Sequence, residues 1–189
     1  MNRTPRYLEQ FSLLVVEPNP FMRSVMKAVL KAFGARDIKE APDGSAALGL
    51  LQTNKIDILF SEKEMQPLDG VEMTRVIRTA KDVRDNMVPI VMVSAYSELY
   101  NVLEARDAGI TEFVRKPFSA TDLFSRINEV IERPRIFVKS PRYTGPDRRR
   151  RVRPDEVDVE RRAQVEVVDS DELSQDQVNE LIAPSGRPA

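Results

Sequence analysis

The chain has 189 residues, 29 basic and 30 acidic side chains, a net charge of -1 and 41% hydrophobic residues, which is enough for one well-cored domain plus extra sequence and too little for most two-domain enzymes. It contains neither cysteine nor histidine, which excludes disulfides, thiolate or imidazole metal sites, Ser-His-Asp triads and phosphotransfer from a histidine of this chain. The start MNRTPRYLEQ lacks the apolar stretch of a signal peptide, and no apolar run approaches the roughly 20 residues of a membrane span, so a cytoplasmic protein is expected.

Residues 1–10 are expected to form an N-terminal arm. From 11 to 133, short apolar runs alternate with segments of helical period. Ser12–Val16, Asp37–Ala41, Ile56–Phe60, Pro89–Val93 and Glu112–Arg115 read as strands. After the first strand, Met22, Val25, Met26, Val29, Leu30 and Phe33 recur at helical spacing, and Gly34 stands where a left-handed C-terminal cap is wanted. Ser119-x-x-Asp122 opens the last helix in the manner of a capping box, followed by Leu123, Ile127, Val130 and Ile131. Five strands each followed by a helix imply an α/β fold, a parallel sheet covered on both faces.

In such sheets ligands bind beyond the carboxyl ends of the strands. One residue past the apolar runs, or close to it, stand Glu17, Glu62, Ser94 and Lys116, so two carboxylates, a hydroxyl and an ammonium are expected in one crevice. Such a set suits a hard cation such as Mg²⁺ with a phosphate beside it. Alternatively, the lysine only neutralises the two glutamates.

The segments LLVVEPNPFMR, APDGSAAL, ILFSEKEMQPLDG, VMVSA and FVRKPF resemble, in order and spacing, the motifs of response-regulator receiver domains of the CheY-like family. The resemblance covers about 11–133 and implies a flavodoxin-like (βα)5 fold with a five-stranded parallel sheet. In that family an acidic pair holds Mg²⁺, an aspartate accepts a phosphoryl group from a histidine kinase, and a Ser/Thr and a Lys contact the phosphoryl oxygens. Carried over by motif, the acidic pair falls on Glu17 and Pro18, the acceptor on Glu62, the phosphoryl contacts on Ser94 and Lys116, the remaining metal contact on the carbonyl of Glu64, and the switch aromatic on Phe113. Lys116-Pro117 resembles the family's cis step. Tyr96 and Tyr100, with Phe113, are expected on the partner-docking face.

Two departures bear on function. Pro18 offers no ligand side chain, so Glu17 and Glu62 are expected to hold Mg²⁺ weakly at most. Glu62 carries one methylene more than an aspartate, which displaces its carboxylate toward the phosphoryl position and makes it a poor acceptor for in-line transfer. The reading is a stand-alone atypical receiver in two-component signalling, without enzymatic activity, acting through a histidine kinase or a downstream protein and not phosphorylated. A phosphorylatable regulator using Glu62 is the alternative. Within the leading reading, Glu62 either mimics a phosphorylated aspartate or merely keeps Lys116 paired.

Residues 134–189 read as a mostly disordered charged tail, because a basic block over 135–153 (eight basic residues against Asp147 alone) precedes an acidic one over 154–189 (ten acidic against three basic). Arg148, Arg149 and Arg153 resemble the arginine motif of cyclic di-GMP-binding PilZ domains, so a nucleotide second messenger is a further possible ligand, while nucleic acid is disfavoured by the acidic block. Leu173, Val178, Leu181 and Ile182 around Ser174-x-x-Gln177 are expected to fold as a short helix only on binding.

Overall fold

A computed structural model describes residues 7–81, 83–140, 143–147 and 173–182. Five parallel strands, β1 (Ser12–Val16), β2 (Asp37–Ala41), β3 (Ile58–Ser61), β4 (Ile90–Ser94) and β5 (Glu112–Arg115), form one sheet in the order β2-β1-β3-β4-β5. Helices α1 (Pro20–Ala32), α2 (Gly44–Thr53), α3 (Gly70–Thr79), α4 (Leu99–Ala108) and α5 (Ala120–Glu132) follow the strands in turn. The flavodoxin-like expectation is met.

The strands are apolar almost throughout because both faces of the sheet are covered. Leu14, Val16, Leu59, Ile90, Met92 and Phe113 pack in one core with residues of α2, α3 and α4. Leu13, Val15, Phe60, Val91, Val93 and Val114 pack in the other with Met26 and Leu30 of α1 and Leu123 and Ile127 of α5. Alternation along each strand divides its side chains between the two cores.

Local chemistry places the helix ends. The Asn19 side chain accepts from the amides of Phe21 and Met22 ahead of Pro20 in the first turn of α1, and Gly34 takes φ 93° just past the helix end. Ser119 and Asp122 form the reciprocal capping box of α5. Two strands begin later than expected. Pro89 has no N–H to give a ladder, so β4 starts at Ile90, while the Pro89 carbonyl still accepts from Leu59 N. Asp57 turns its side chain to the Ser12 amide (2.8 Å), and β3 starts after it.

Three features fall outside the expected 11–133 unit. Leu8 is fully buried and its amide bonds to the Phe33 carbonyl (3.1 Å), so the end of the N-terminal arm belongs to the domain. Strands β6 (Phe137–Ser140) and β7 (Tyr143–Pro146) form an antiparallel pair, where Arg78 of α3 lies under the Phe137 ring and donates to the Gly109 carbonyl (3.0 and 2.9 Å). Helix α6 (Gln175–Ile182) packs against β5 and α4. These elements lie within the stretch expected to be mostly disordered. Average charge hides them, because each needs only two or three apolar side chains and a receiving surface already built by the domain.

Candidate functional site

The strand order reverses at β1 and β3, and the crevice at their carboxyl ends carries the candidate residues. Glu17 follows β1, Glu62 follows β3, Ser94 ends β4 and Lys116 follows β5; the two glutamates and Ser94 are buried. Backbone bonds hold their bases in register: Glu17 N donates to Ala41 O (3.1 Å), Glu62 N to Val16 O (2.9 Å) and Lys116 N to Ser94 O (2.8 Å).

All four side chains meet. Lys116 Nζ stands 2.6 Å from Glu17 Oε2 and 2.6 Å from Glu62 Oε2. Ser94 Oγ donates to Glu62 Oε1, which also accepts from Lys63 N at 2.7 Å and Glu64 N at 3.4 Å. Glu17 Oε1 accepts from Asn19 N (3.0 Å). Burial works against the Lys116 ammonium, but its hydrogen bonds to Glu17 and Glu62 and their charges outweigh that and raise its pKa above the usual lysine value. Both oxygens of Glu62 are therefore engaged, one by the ammonium and the other by a hydroxyl and backbone amides.

A hard cation fits this arrangement poorly. One oxygen of each of Glu17 and Glu62 faces the ammonium while the other accepts backbone amides, Pro18 has no side-chain oxygen, and the described residues contain no group of three or more acidic side chains placed to hold a metal. The Lys116 ammonium stands where the two carboxylates converge.

Other candidates stand apart. The Glu64 side chain is largely exposed, 3.7 Å from Lys63 Nζ. Tyr96 and Tyr100 are exposed (45% and 73%), whereas Phe113 is buried in the core that also contains Val178 and Ile182 of α6. The expected aromatic face is thus corrected: α6 joins the core around Phe113, which leaves only the two tyrosines at the surface. Arg148, Arg149 and Arg153 lie outside the described residues. Lys116-Pro117 is cis, as the resemblance implies, and Gln66-Pro67 is also cis.

Two supports were not foreseen. Gly70, the first residue of α3, is packed so closely that a Cβ there would lie 2.1 Å from the Glu62 carbonyl oxygen, and its amide donates to the Lys63 carbonyl (2.8 Å). The Asp-Gly pair before a helical pattern was the available signal. Lys63 is buried beside Glu62 and extends away from the crevice, where its Nζ donates to Asn101 (2.8 Å).

The family model for the response regulator receiver domain matches residues 13–128. The chain belongs to this receiver family. Chemotaxis protein CheY of Pseudomonas aeruginosa is 32% identical over 121 residues, 64% of this chain and 96% of that protein. Among solved structures, the receiver domain of a sensor histidine kinase from Pseudomonas aeruginosa PAO1 matches with a TM-score of 0.57 at 27% identity, covering 63% of this chain and 95% of that one; it holds a magnesium ion in its active site cleft. A Francisella response regulator receiver domain matches with a TM-score of 0.59 at 27% identity, over 66% of this chain and 98% of the other. The receiver is thus a module of two-component signalling, a class that works by interaction with kinases and effectors and is typically not enzymatic. None of the described helices is long and apolar enough to cross a membrane.

Proposed function

We propose that this receiver signals through protein–protein interaction with its switch site held by its own Glu62 carboxylate in place of a phosphoryl group. One observation carries the reading: Glu62 engages Ser94 through Oε1 and Lys116 through Oε2. In the receiver pattern these two side chains contact phosphoryl oxygens. The single Ser94 hydroxyl proton and one N–H of Lys116 are already given to Glu62.

The same geometry argues against Glu62 as an acceptor. A nucleophilic oxygen needs a lone pair aimed along the line of attack at an incoming phosphorus. Here Oε1 faces Ser94 and two backbone amides, and Oε2 faces the ammonium. A phosphoryl donor would have to break a largely buried ion pair before any bond could form. The proposed partners are a histidine kinase or a downstream protein of a two-component pathway, recognised by a receiver whose state does not depend on phosphoryl supply.

Backbone NMR spectra with and without beryllium fluoride and Mg²⁺, which together imitate a bound phosphoryl group, test this reading. The amide resonances of Lys63, Ser94 and Lys116 are expected to stay in place. Saturable shifts at those three amides would overturn it.

A further inference from the structure

Glu62 engages two side chains, and each stands close in sequence to a point where helix α6 is bonded to the domain. Lys116 follows Arg115, whose amide donates to Gln175 Oε1 of α6, while Gln175 Nε2 donates to Phe113 O (3.1 Å). Ser94 leads into the loop before α4: its Oγ donates to Glu62 Oε1 and accepts from Tyr96 N (3.3 Å). The next residue, Ser97, is fully buried and bonded in both directions to Leu173, two residues before α6 (Leu173 N to Ser97 O 3.2 Å, Ser97 Oγ to Leu173 O 3.3 Å). Helix α6 therefore has two polar seats, the β5 edge and the β4–α4 loop, and both adjoin side chains that the Glu62 carboxylate holds.

Loop and helix depend on these bonds. Glu98, the N-cap of α4, makes no side-chain hydrogen bond to the first turn, so the loop before it leans more heavily on its bonds at Ser94 and Ser97. Helix α6 has only eight residues, too few to persist in water alone. Ser174 and Gln177 cap its start reciprocally (Ser174 N to Gln177 Oε1 2.8 Å, Gln177 N to Ser174 Oγ 3.3 Å). Val178 and Ile182, four apart on one helix face, are buried in the core shared with Val102, Ala105 and Phe113. Hydrogen bonds weaken steeply with misalignment, so a loop that shifts on losing Glu62 releases Leu173, and a β5 end that shifts releases Gln175.

We propose that α6 is an intramolecular lid coupled to the crevice: while Glu62 holds Ser94 and Lys116 the lid stays shut over β5 and α4, and loss of those contacts unseats it. The coupling runs along two short routes, Glu62–Ser94–Tyr96–Ser97–Leu173 and Glu62–Lys116–Arg115–Gln175. It is reciprocal, so unseating α6 loosens the crevice by the same factor. The element with two arrangements is the short helix, seated or released, which belongs to the low-stability end of the fold. Shut, it keeps Phe113 and the β5 edge from water and from other chains. This inference rests on the reading above for the filled state of the crevice and adds its regulatory consequence, carried by this chain's own C-terminal helix.

Amide hydrogen exchange and backbone NMR on full-length chains, with no phosphoryl donor present, test the coupling in both directions. In Ser94→Ala, exchange at the Arg115, Leu173 and Val178 amides is expected to accelerate about tenfold more than exchange at the Leu59 amide, which is bonded to the Pro89 carbonyl inside the sheet (2.9 Å). Equal acceleration at all four amides would mean a loss of global stability alone and would overturn the proposal, as would no acceleration at Leu173 and Val178. In the reverse direction, Gln175→Ala is expected to shift the Lys63 and Glu64 amide resonances, whose N–H groups point at Glu62 Oε1. Unmoved resonances at those two residues overturn the proposal. If Ser94→Ala does not fold, Glu62→Gln is judged by the same criteria. A response of the crevice to beryllium fluoride would sink the filled-crevice reading and leave these outcomes as they stand, whereas uncoupled exchange beside a silent crevice sinks the lid alone.

Discussion

Lys116 Nζ stands 2.6 Å from Glu62 Oε2, across 54 residues of chain. The contact joins the ends of β3 and β5, two strands separated in the sheet by β4, at a point where most of each side chain is withdrawn from water. Glu17 shares the same ammonium. One cation therefore serves two carboxylates, and the site is internally neutralised to within one charge.

Replacing Glu62 by Gln keeps the shape and removes the charge. Ser94 retains an acceptor, but the amide turns a donor toward an ammonium that then has only Glu17. We expect a loss of about 2 kcal/mol, the scale of a damaged buried ion pair that keeps one partner. Thermal unfolding should show it as a Tm lower by about 4–8 °C. An unchanged Tm would mean that the pair contributes nothing to the fold.

The pH dependence of Lys116 follows from the direction of its shift. Burial opposes the ammonium, the two glutamates outweigh burial, and the folded-state pKa lies above the unfolded one. Its stabilising contribution is therefore complete below about pH 10, near the ordinary lysine value, and is lost as pH rises through the higher folded value. Lys116→Met leaves Glu17 and Glu62 together with no cation. Denaturant unfolding should find this variant less stable than wild type at pH 7, with the difference shrinking as pH rises through the raised Lys116 value and the wild-type ammonium is lost. A difference that does not shrink above about pH 10 would contradict the shared-cation geometry.

Gly70→Ala places a methyl 2.1 Å from the Glu62 carbonyl oxygen, and backbone must yield there because neither side is a flexible side chain. Over-packing of this kind costs about 1–3 kcal/mol. The displacement falls on the peptide that carries Glu62, so the Ser94 and Lys63 amide resonances should shift along with the loss in Tm. Gly49, with open space around it, is the control: Gly49→Ala should be neutral or stabilising.

Arg135→Ala tests the link between the receiver and α6. It removes the 3.0 Å partner of Glu112 and the donor to the Ile182 carbonyl, leaving Glu112 with Arg126 at 3.4 Å. Burial already pushes the Glu112 carboxyl up, against the pull of Arg135 and Arg126. A group raised in the fold favours folding when protonated, so the deficit of Arg135→Ala should be larger at pH 7 than near pH 5. Equal deficits at both pH values would show that Arg135 does not hold the Glu112 charge.

The βα alternation and the four strand-end residues are legible in the sequence because both are local. A buried parallel strand is a short apolar run, and the residue after it lies at the carboxyl edge wherever the strand falls in the sheet. The bridging position of Lys116 is less legible, since a lysine facing a phosphate and a lysine joining two glutamates have the same sequence. Helix α6 is hidden for a different reason. Ser174-x-x-Gln177 and the Val178 and Ile182 spacing mark a helix, but the surface that stabilises it lies 62 residues earlier, between Gln175 and Phe113. The β6–β7 pair is masked by Lys139 and Arg142 within a basic block, although Phe137 needs only Arg78 beneath it to find its place.

Intact-protein mass after incubation with acetyl phosphate and Mg²⁺, run beside a Glu62→Gln control, bears most directly on the central claim that Glu62 occupies the phosphoryl contacts of Ser94 and Lys116. No added phosphoryl group on the wild type is the expected result. A single phosphoryl addition present in the wild type and lost in Glu62→Gln would contradict it, for it would mean that the Glu62 carboxylate leaves Lys116 and attacks phosphorus.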